Sequence, residues 1–132
     1  MQQIPVILVR HLVKKFGTFV ANDDLTFDVF KGEVFGFLGA NGAGKTTAMR
    51  ILCGLSRPTS GELRVDGLDV HKQAEAIKKR IGYMSQKFSL YKDLTVYENM
   101  RLFGGIYGLS LHDLKSRIDQ LLGQLDLRKQ RD

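Results

Sequence analysis

The stretch "GFLGANGAGKTTAMRIL", residues Gly36 to Leu52, decides the fold. Within it, the run from Gly39 to Thr46 matches the spacing G-x-x-x-x-G-K-[ST] without a mismatch. Glycines permit positive φ and carry no side chain, so successive N–H groups can form a concave nest for an anion. A helix beginning at Lys45 adds N–H donors that have no intrahelical partner, and the positive end of its dipole. We therefore expect a phosphate-binding loop between a strand and a helix.

Two side chains of this motif indicate which phosphate ligand it binds. Lys45 can place an ammonium on the β- and γ-phosphates, and the Thr46 hydroxyl can bind a magnesium ion that bridges them. A plain glycine turn would need neither residue. A dinucleotide-binding fold would place an acidic residue about twenty positions further on, at the end of a second strand. Glu62 and Asp66 are near that distance but lie in a turn-rich segment, so the sequence favours a nucleoside triphosphate with magnesium.

Composition limits the class of protein. A chain of 132 residues is long enough for one domain with one core. It has no apolar run long enough to span a bilayer, "MQQIPVILVR" lacks the features of a secretory leader, and Cys53 is its single cysteine. We therefore expect a cytosolic location. The net charge of +6 would suit an anionic partner, but the basic residues form short clusters separated by acidic ones, and we do not expect nucleic acid to bind.

Hydrophobic periodicity and turn residues predict an α/β chain in two parts. Strands are predicted at Ile4–Leu12, Asp24–Phe30, Val34–Leu38 and Ile81–Ser85, with a short β-ribbon over residues 57–70. Helices are predicted at Lys45–Cys53, Gln73–Lys79 and Thr95–Tyr107, followed by a last helix capped by Ser110. The apolar face of that last helix consists of Leu111, Leu114, Ile118, Leu121, Leu122 and Leu125. The strands lie in residues 1–93 and only helices are predicted in residues 94–132.

Five segments, in this order, resemble the beginning of an ATP-binding-cassette (ABC) nucleotide-binding domain. They are "KKFGTFVANDDLTFDV", "GEVFGFLGANGAGKTTAMRILCGL", "PTSGELRVDG", "IGYMSQ" and "LYKDLTVYENM". The resemblance covers essentially the whole chain and is greatest to the ATPase subunits of drug-resistance-type exporters. It implies a P-loop NTPase core with an antiparallel β-subdomain and the start of an α-helical subdomain, which together form an incomplete domain.

The resemblance also implies roles for individual residues. Phe16 takes the position of an aromatic side chain that stacks on adenine, although it could instead be a core residue, and Phe19 is a nearby competitor. Asn41 takes a position beside the γ-phosphate. Gln86 takes the position of a glutamine that coordinates magnesium and orients the attacking water. The implied catalytic residues are Lys45 and Gln86, the implied magnesium ligands are Thr46 and Gln86, and the implied ATP-binding residues are Phe16, Gly39, Asn41, Gly42, Ala43, Gly44, Lys45, Thr46 and Thr47.

Three catalytic motifs of the family are missing from the 132 residues: the L-S-G-G-Q signature, the strand ending in Asp-Glu, and the later switch histidine. The Asp-Glu strand would supply the general base, and the signature would contact the γ-phosphate from a second subunit. We therefore expect a fragment of a longer subunit that binds ATP without significant hydrolysis.

The expected partners are transmembrane permease subunits and a second nucleotide-binding domain in a head-to-tail dimer. This arrangement would hold the protein at the cytoplasmic face of the cell membrane. A soluble ABC-type ATPase acting on ribosomes or nucleic acid is an alternative. A small P-loop kinase or GTPase is another, although the guanine-reading N-K-x-D does not occur. A structural fragment without activity of its own is compatible with the leading hypothesis.

Overall fold

The computed structural model describes residues 4–85 and 90–131, which form a mixed α/β fold. Its contacts divide the chain into two compact units, Met1–Tyr83 and Met84–Asp132. The division predicted between residues 93 and 94 falls inside the second unit, and as a functional boundary it stays a prediction.

The first unit is built on a four-stranded antiparallel sheet with the strand order β2-β1-β3-β4. The strands are β1 (Ile7–Phe16), β2 (Phe19–Val29), β3 (Ser60–Val65) and β4 (Leu68–Asp69). Gly17, at φ 59°, makes the tight turn between β1 and β2. The predicted first two strands and the β-ribbon are confirmed, and the hairpin extends as far as Phe16 and Phe19.

Two helices, α1 (Lys45–Leu52) and α2 (Ala74–Lys78), complete the first unit. Ala48, Ile51 and Leu52 are buried at helical spacing on α1, so they give that helix one apolar face. This face shares a core with Val9, Leu12 and Leu63 of the sheet and Ile77 of α2. Both helices predicted in this region are confirmed. The packing fixes α1, and with it the loop that precedes α1, against the sheet.

An ion pair joins the two long strands. The Arg10 guanidinium donates two hydrogen bonds of 2.6 Å to the two carboxylate oxygens of Asp28. These bonds stabilise the charged carboxylate, so they lower the pKa of Asp28 below its usual value. Arg10 lies on β1 and Asp28 on β2, so the pair helps to hold the hairpin in register.

Two predicted strands are wrong. In the described residues, the segments 34–38 and 81–85 pair with no strand, and Val34, Leu38 and Met84 are 102%, 97% and 92% exposed. A short apolar run indicates a segment that can enter a sheet, but a strand forms only where a neighbour accepts and donates its backbone hydrogen bonds. Aromatic side chains pack the first segment against the sheet, since the ring centroids of Phe35 and Phe37 lie 4.9 and 5.2 Å from that of Phe27 on β2.

The second unit is a helical hairpin formed by α3 (Val96–Ile106) and α4 (Leu111–Gln124), followed by a short 3₁₀ helix (Arg128–Gln130). Thr95 and Glu98 form the predicted capping box, and the Ser110 hydroxyl caps α4 as predicted. Leu114, Ile118 and Leu122 of the predicted apolar face are buried, whereas Leu111, Leu121 and Leu125 are exposed. Every helix in the described residues falls short of the length and apolarity needed to cross a bilayer.

The Asn99 side chain stabilises the start of this hairpin through hydrogen bonds. This side chain is 6% exposed. The amide nitrogen donates to the carbonyl oxygens of Tyr91, Leu94 and Thr95, at 2.9, 3.0 and 3.0 Å. The amide oxygen accepts from the Tyr91 N–H at 2.9 Å. One buried side chain therefore satisfies several backbone groups of the turn that leads into α3.

Replacing Asn99 with leucine should destabilise the second unit. Leu has a similar size but makes none of these hydrogen bonds. The Tyr91 and Thr95 carbonyls keep backbone donors, whereas the bonds to the Tyr91 N–H and the Leu94 carbonyl are lost, at a cost of about 0.5–1.5 kcal/mol each. The measurement is urea unfolding followed by circular dichroism, with hydrogen exchange of the α3 amides as the local readout. The control Gln124→Leu changes an exposed residue of α4 and should leave stability nearly unchanged. Equal stability of Asn99→Leu and wild type would show that the Asn99 hydrogen bonds do not stabilise the unit.

Candidate functional site

The loop before α1 has the backbone geometry that anion binding requires. Gly42 and Gly44 adopt left-handed conformations, with φ of 84° and 79°, and the Ala43 N–H donates to the Ala40 carbonyl at 3.2 Å. Gly44 is the N-cap of α1 and, among the described residues, no side chain caps this end. The first turn of α1 also contains no acidic residue. Its N–H groups and the positive end of the helix dipole are therefore available to an anionic ligand.

The Lys45 side chain folds back along this loop. Its ammonium donates to the carbonyl oxygens of Gly39 and Ala40, each at 2.6 Å. These bonds place a positive charge beside the glycine backbone, where the sequence predicted a contact with phosphate. The loop thus combines N–H donors, a helix N-terminus and one ammonium, and this donor set fits a polyphosphate.

The predicted loop residues lie together because they are contiguous. Asn41 and Thr46 are exposed and Thr47 is half-buried, at the loop and the start of the helix. Among the described residues, no group of three or more histidine, cysteine, aspartate or glutamate side chains could hold a metal ion. Thr46 is the predicted magnesium ligand in the part of the chain that the structure describes. Gln86, the other predicted magnesium ligand and catalytic residue, lies outside the described residues, and its role stays a prediction.

Gly44 packs directly against strand β2. A Cβ atom at Gly44 would lie 2.1 Å from the Ala21 carbonyl oxygen and 2.7 Å from the Asn22 amide nitrogen. No side chain fits at these distances. Position 44 therefore requires glycine for steric reasons as well as for its left-handed conformation. The Asn22 amide nitrogen also donates to the Gly44 carbonyl at 3.2 Å. Sequence reasoning missed Asn22.

Phe16 lies at the hairpin turn and not in the core. Its side chain is 54% exposed, and it pairs across the turn with Phe19, which is 60% exposed. The Lys14 ammonium lies 4.6 Å from the Phe16 ring centroid and donates to the Arg57 carbonyl at 2.8 Å. An exposed ring is available for stacking, whereas a core ring would not be. Both phenylalanines meet this condition, and the predicted role of Phe16 remains untested.

A separate cavity of about 710 Å³ lies within the second unit. Its walls are mainly apolar side chains of α3 and α4, and Lys92 and Arg117 are the charged residues in its lining. The glycine in its lining, Gly104, lies inside α3, and the N-terminus of α3 is already capped by Thr95, so this lining does not resemble a phosphate-binding loop. The chemistry therefore points to the loop of the first unit.

Comparisons with known proteins agree with this loop chemistry. The sequence pattern of a family described as "ABC transporter" matches residues 22–132. A probable multidrug ABC transporter ATP-binding protein of Escherichia coli, YbhF, is 51% identical over 104 residues, which cover 79% of this chain and 18% of YbhF. The ABC transporter ATP-binding protein NatA of Bacillus subtilis is 42% identical over 106 residues, which cover 80% of this chain and 43% of NatA. The chain thus spans less than half the length of these two relatives.

A solved structure supports the same fold. It is described as the ATP binding subunit of an ABC transporter and superposes with a TM-score of 0.81 at 29% sequence identity. The match covers 96% of this chain and 52% of that structure. The predicted fold class is confirmed, because a mixed α/β chain with a P-loop aligns along nearly its whole length.

Proposed function

This chain belongs to the ABC transporter family, and we propose that it is the ATP-binding part of a transporter's ATPase subunit. The observation that carries the proposal is the loop from Gly39 to Thr46, in which the Lys45 ammonium lies against the glycine backbone at the start of α1. Such a loop suits the phosphates of a nucleotide.

In the proposed complex, the N–H groups of the loop and of the first turn of α1 donate to the β- and γ-phosphates of ATP. Lys45 leaves the carbonyls of Gly39 and Ala40 for the phosphates, and Asn41 lies beside the γ-phosphate. The Thr46 hydroxyl and Gln86 hold the magnesium ion. When bound, that ion neutralises charge on the phosphates. Phe16 stacks on the adenine.

The proposed biological role is export across a membrane. In support, the chain resembles a probable multidrug transporter protein, and "LYKDLTVYENM" resembles the transporter form of the segment after the glutamine. The partners would be transmembrane permease subunits and a second nucleotide-binding domain arranged head-to-tail. The protein would then act at the cytoplasmic face of the membrane, with ATP binding and hydrolysis by the whole subunit driving transport.

Lys45→Ala should weaken the binding of magnesium-ATP by about ten-fold or more, because a hydrogen bond to a charged group contributes roughly 1.5–3 kcal/mol. The measurement is titration calorimetry with the 132-residue chain. Lys31→Ala is the matched control, since it removes an exposed lysine from a turn of the same unit. If Lys45→Ala and Lys31→Ala bind ATP as wild type does, the loop is not the binding site.

Phe16→Ala should weaken ATP binding by about 1–3 kcal/mol, the usual contribution of base–aromatic stacking. Phe16→Trp should retain the affinity. It would also introduce the only tryptophan of the chain, whose fluorescence should change as adenine stacks on it. Phe19→Ala is the control, because Phe19 is the equally exposed neighbour across the turn. A loss of affinity in Phe19→Ala alone would assign the stacking to Phe19.

The chain by itself should release negligible phosphate from ATP. An amide such as that of Gln86 can orient water but does not accept its proton at neutral pH, and losing a positioned base usually costs about 10²–10⁴-fold in rate. The assay is phosphate release by the purified chain, with Lys45→Ala as the control for contaminating ATPases. Turnover that disappears in Lys45→Ala would contradict this expectation.

A further inference from the structure

Strand β2 contributes a buried asparagine to the end of the glycine loop. Asn22 is 7% exposed, and its amide nitrogen donates to the Gly44 carbonyl at 3.2 Å. Its amide oxygen has no hydrogen-bond partner among the described residues. The reverse orientation of the amide would place two acceptor oxygens against each other, so the observed orientation is the favourable one.

The Gly44 carbonyl is held by two donors. Besides Asn22, it accepts the first intrahelical hydrogen bond of α1, from the Ala48 N–H at 2.9 Å. The Gly44 backbone is also closed in by Ala21, whose carbonyl oxygen would lie 2.1 Å from any added Cβ. The peptide between Gly44 and Lys45 is therefore clamped by a strand on one side and a helix on the other.

This clamp determines where the next N–H group points. In a trans peptide, the C=O and the following N–H lie in one plane and point in opposite directions. Because the Gly44 carbonyl points towards Asn22 and Ala48, the Lys45 N–H points away from them. That N–H belongs to the first turn of α1, whose donors have no intrahelical acceptor.

We propose that Asn22 is a positioning residue of the phosphate site: its amide fixes the Gly44–Lys45 peptide so that the Lys45 N–H donates to a bound phosphate. The inference rests on the proposed function of the loop. Asn22 does not touch the ligand and acts only through this peptide.

The amide oxygen, which has no hydrogen-bond partner among the described residues, distinguishes this role from a purely structural one. A buried acceptor without a partner lowers stability, and an apolar side chain of similar size avoids that loss. The Gly44 carbonyl keeps its bond from Ala48 when Asn22 is replaced. A leucine at position 22 should therefore leave the fold as stable as before, or more stable, and yet weaken phosphate binding. If Asn22 were needed only for folding, its replacement would not weaken phosphate binding while leaving stability unchanged or higher.

The test compares Asn22→Leu with wild type in the 132-residue chain, with magnesium-ATP and magnesium tripolyphosphate as probes in titration calorimetry. We expect both affinities to fall by a similar factor of about 2–10, the equivalent of one lost hydrogen bond, with an unchanged or higher melting temperature. The backbone amide resonances of Gly44 and Lys45 should shift without ligand. Unchanged affinities, or weaker binding with unshifted resonances, would overturn the proposal.

Asn99→Leu is the matched control, since it makes the same change at a buried asparagine of the second unit whose amide is fully bonded. It should lower stability and leave both affinities unchanged.

If Asn22→Leu does not fold, Asn22→Asp keeps the shape and removes the donor at neutral pH, and it should weaken binding of both probes. Wild-type binding that Lys45→Ala leaves intact would refute the proposed function and this inference together. Binding that requires Lys45 but is unaffected at position 22 would refute this inference alone.

Discussion

The close approach of Gly44 to strand β2 is the constraint on which the rest of the first unit depends. The Ala21 carbonyl oxygen lies 2.1 Å from the position that a Cβ would take, so the loop can end there only with a glycine in a left-handed conformation. Once that residue is fixed, α1 must begin at Lys45, and its buried face must meet the sheet through Ala48, Ile51 and Leu52. Loop, helix and sheet therefore form one packed arrangement in which a change at the glycine would affect all three.

Much of this arrangement could be predicted from the sequence, because the responsible signals are local. The spacing from Gly39 to Thr46 identifies the loop, since each residue type has a separate physical task. The caps at Thr95 and Ser110 were predictable for a similar reason, as a hydroxyl at an N-cap satisfies an N–H two or three residues away. Signals that act over a few residues can be recognised without knowledge of the tertiary structure.

Other features depend on distant partners, and here prediction failed. The runs at 34–38 and 81–85 are apolar enough to enter a sheet, but apolarity does not say whether a neighbouring strand is present. The leucine face of α4 is only half buried for the same kind of reason. Asn22 was missed because the strand was predicted to begin at Asp24, whereas β2 begins at Phe19, and because the register of β1 and β2 shifts between Leu12 and Lys15. Counting alternate residues back from Leu25 therefore gives the wrong face for position 22.

Strand β2 has a further consequence for the size of any ligand. It begins at Phe19, opposite Phe16 at the hairpin turn, and it holds the loop at Asn22. These points are three residue steps apart along the strand, a distance of roughly 10 Å. A molecule that contacts both the turn and the loop must span this length, so the strand sets the distance between the two contacts. The length of a ligand, as well as its charge, therefore decides whether it can contact both points at once.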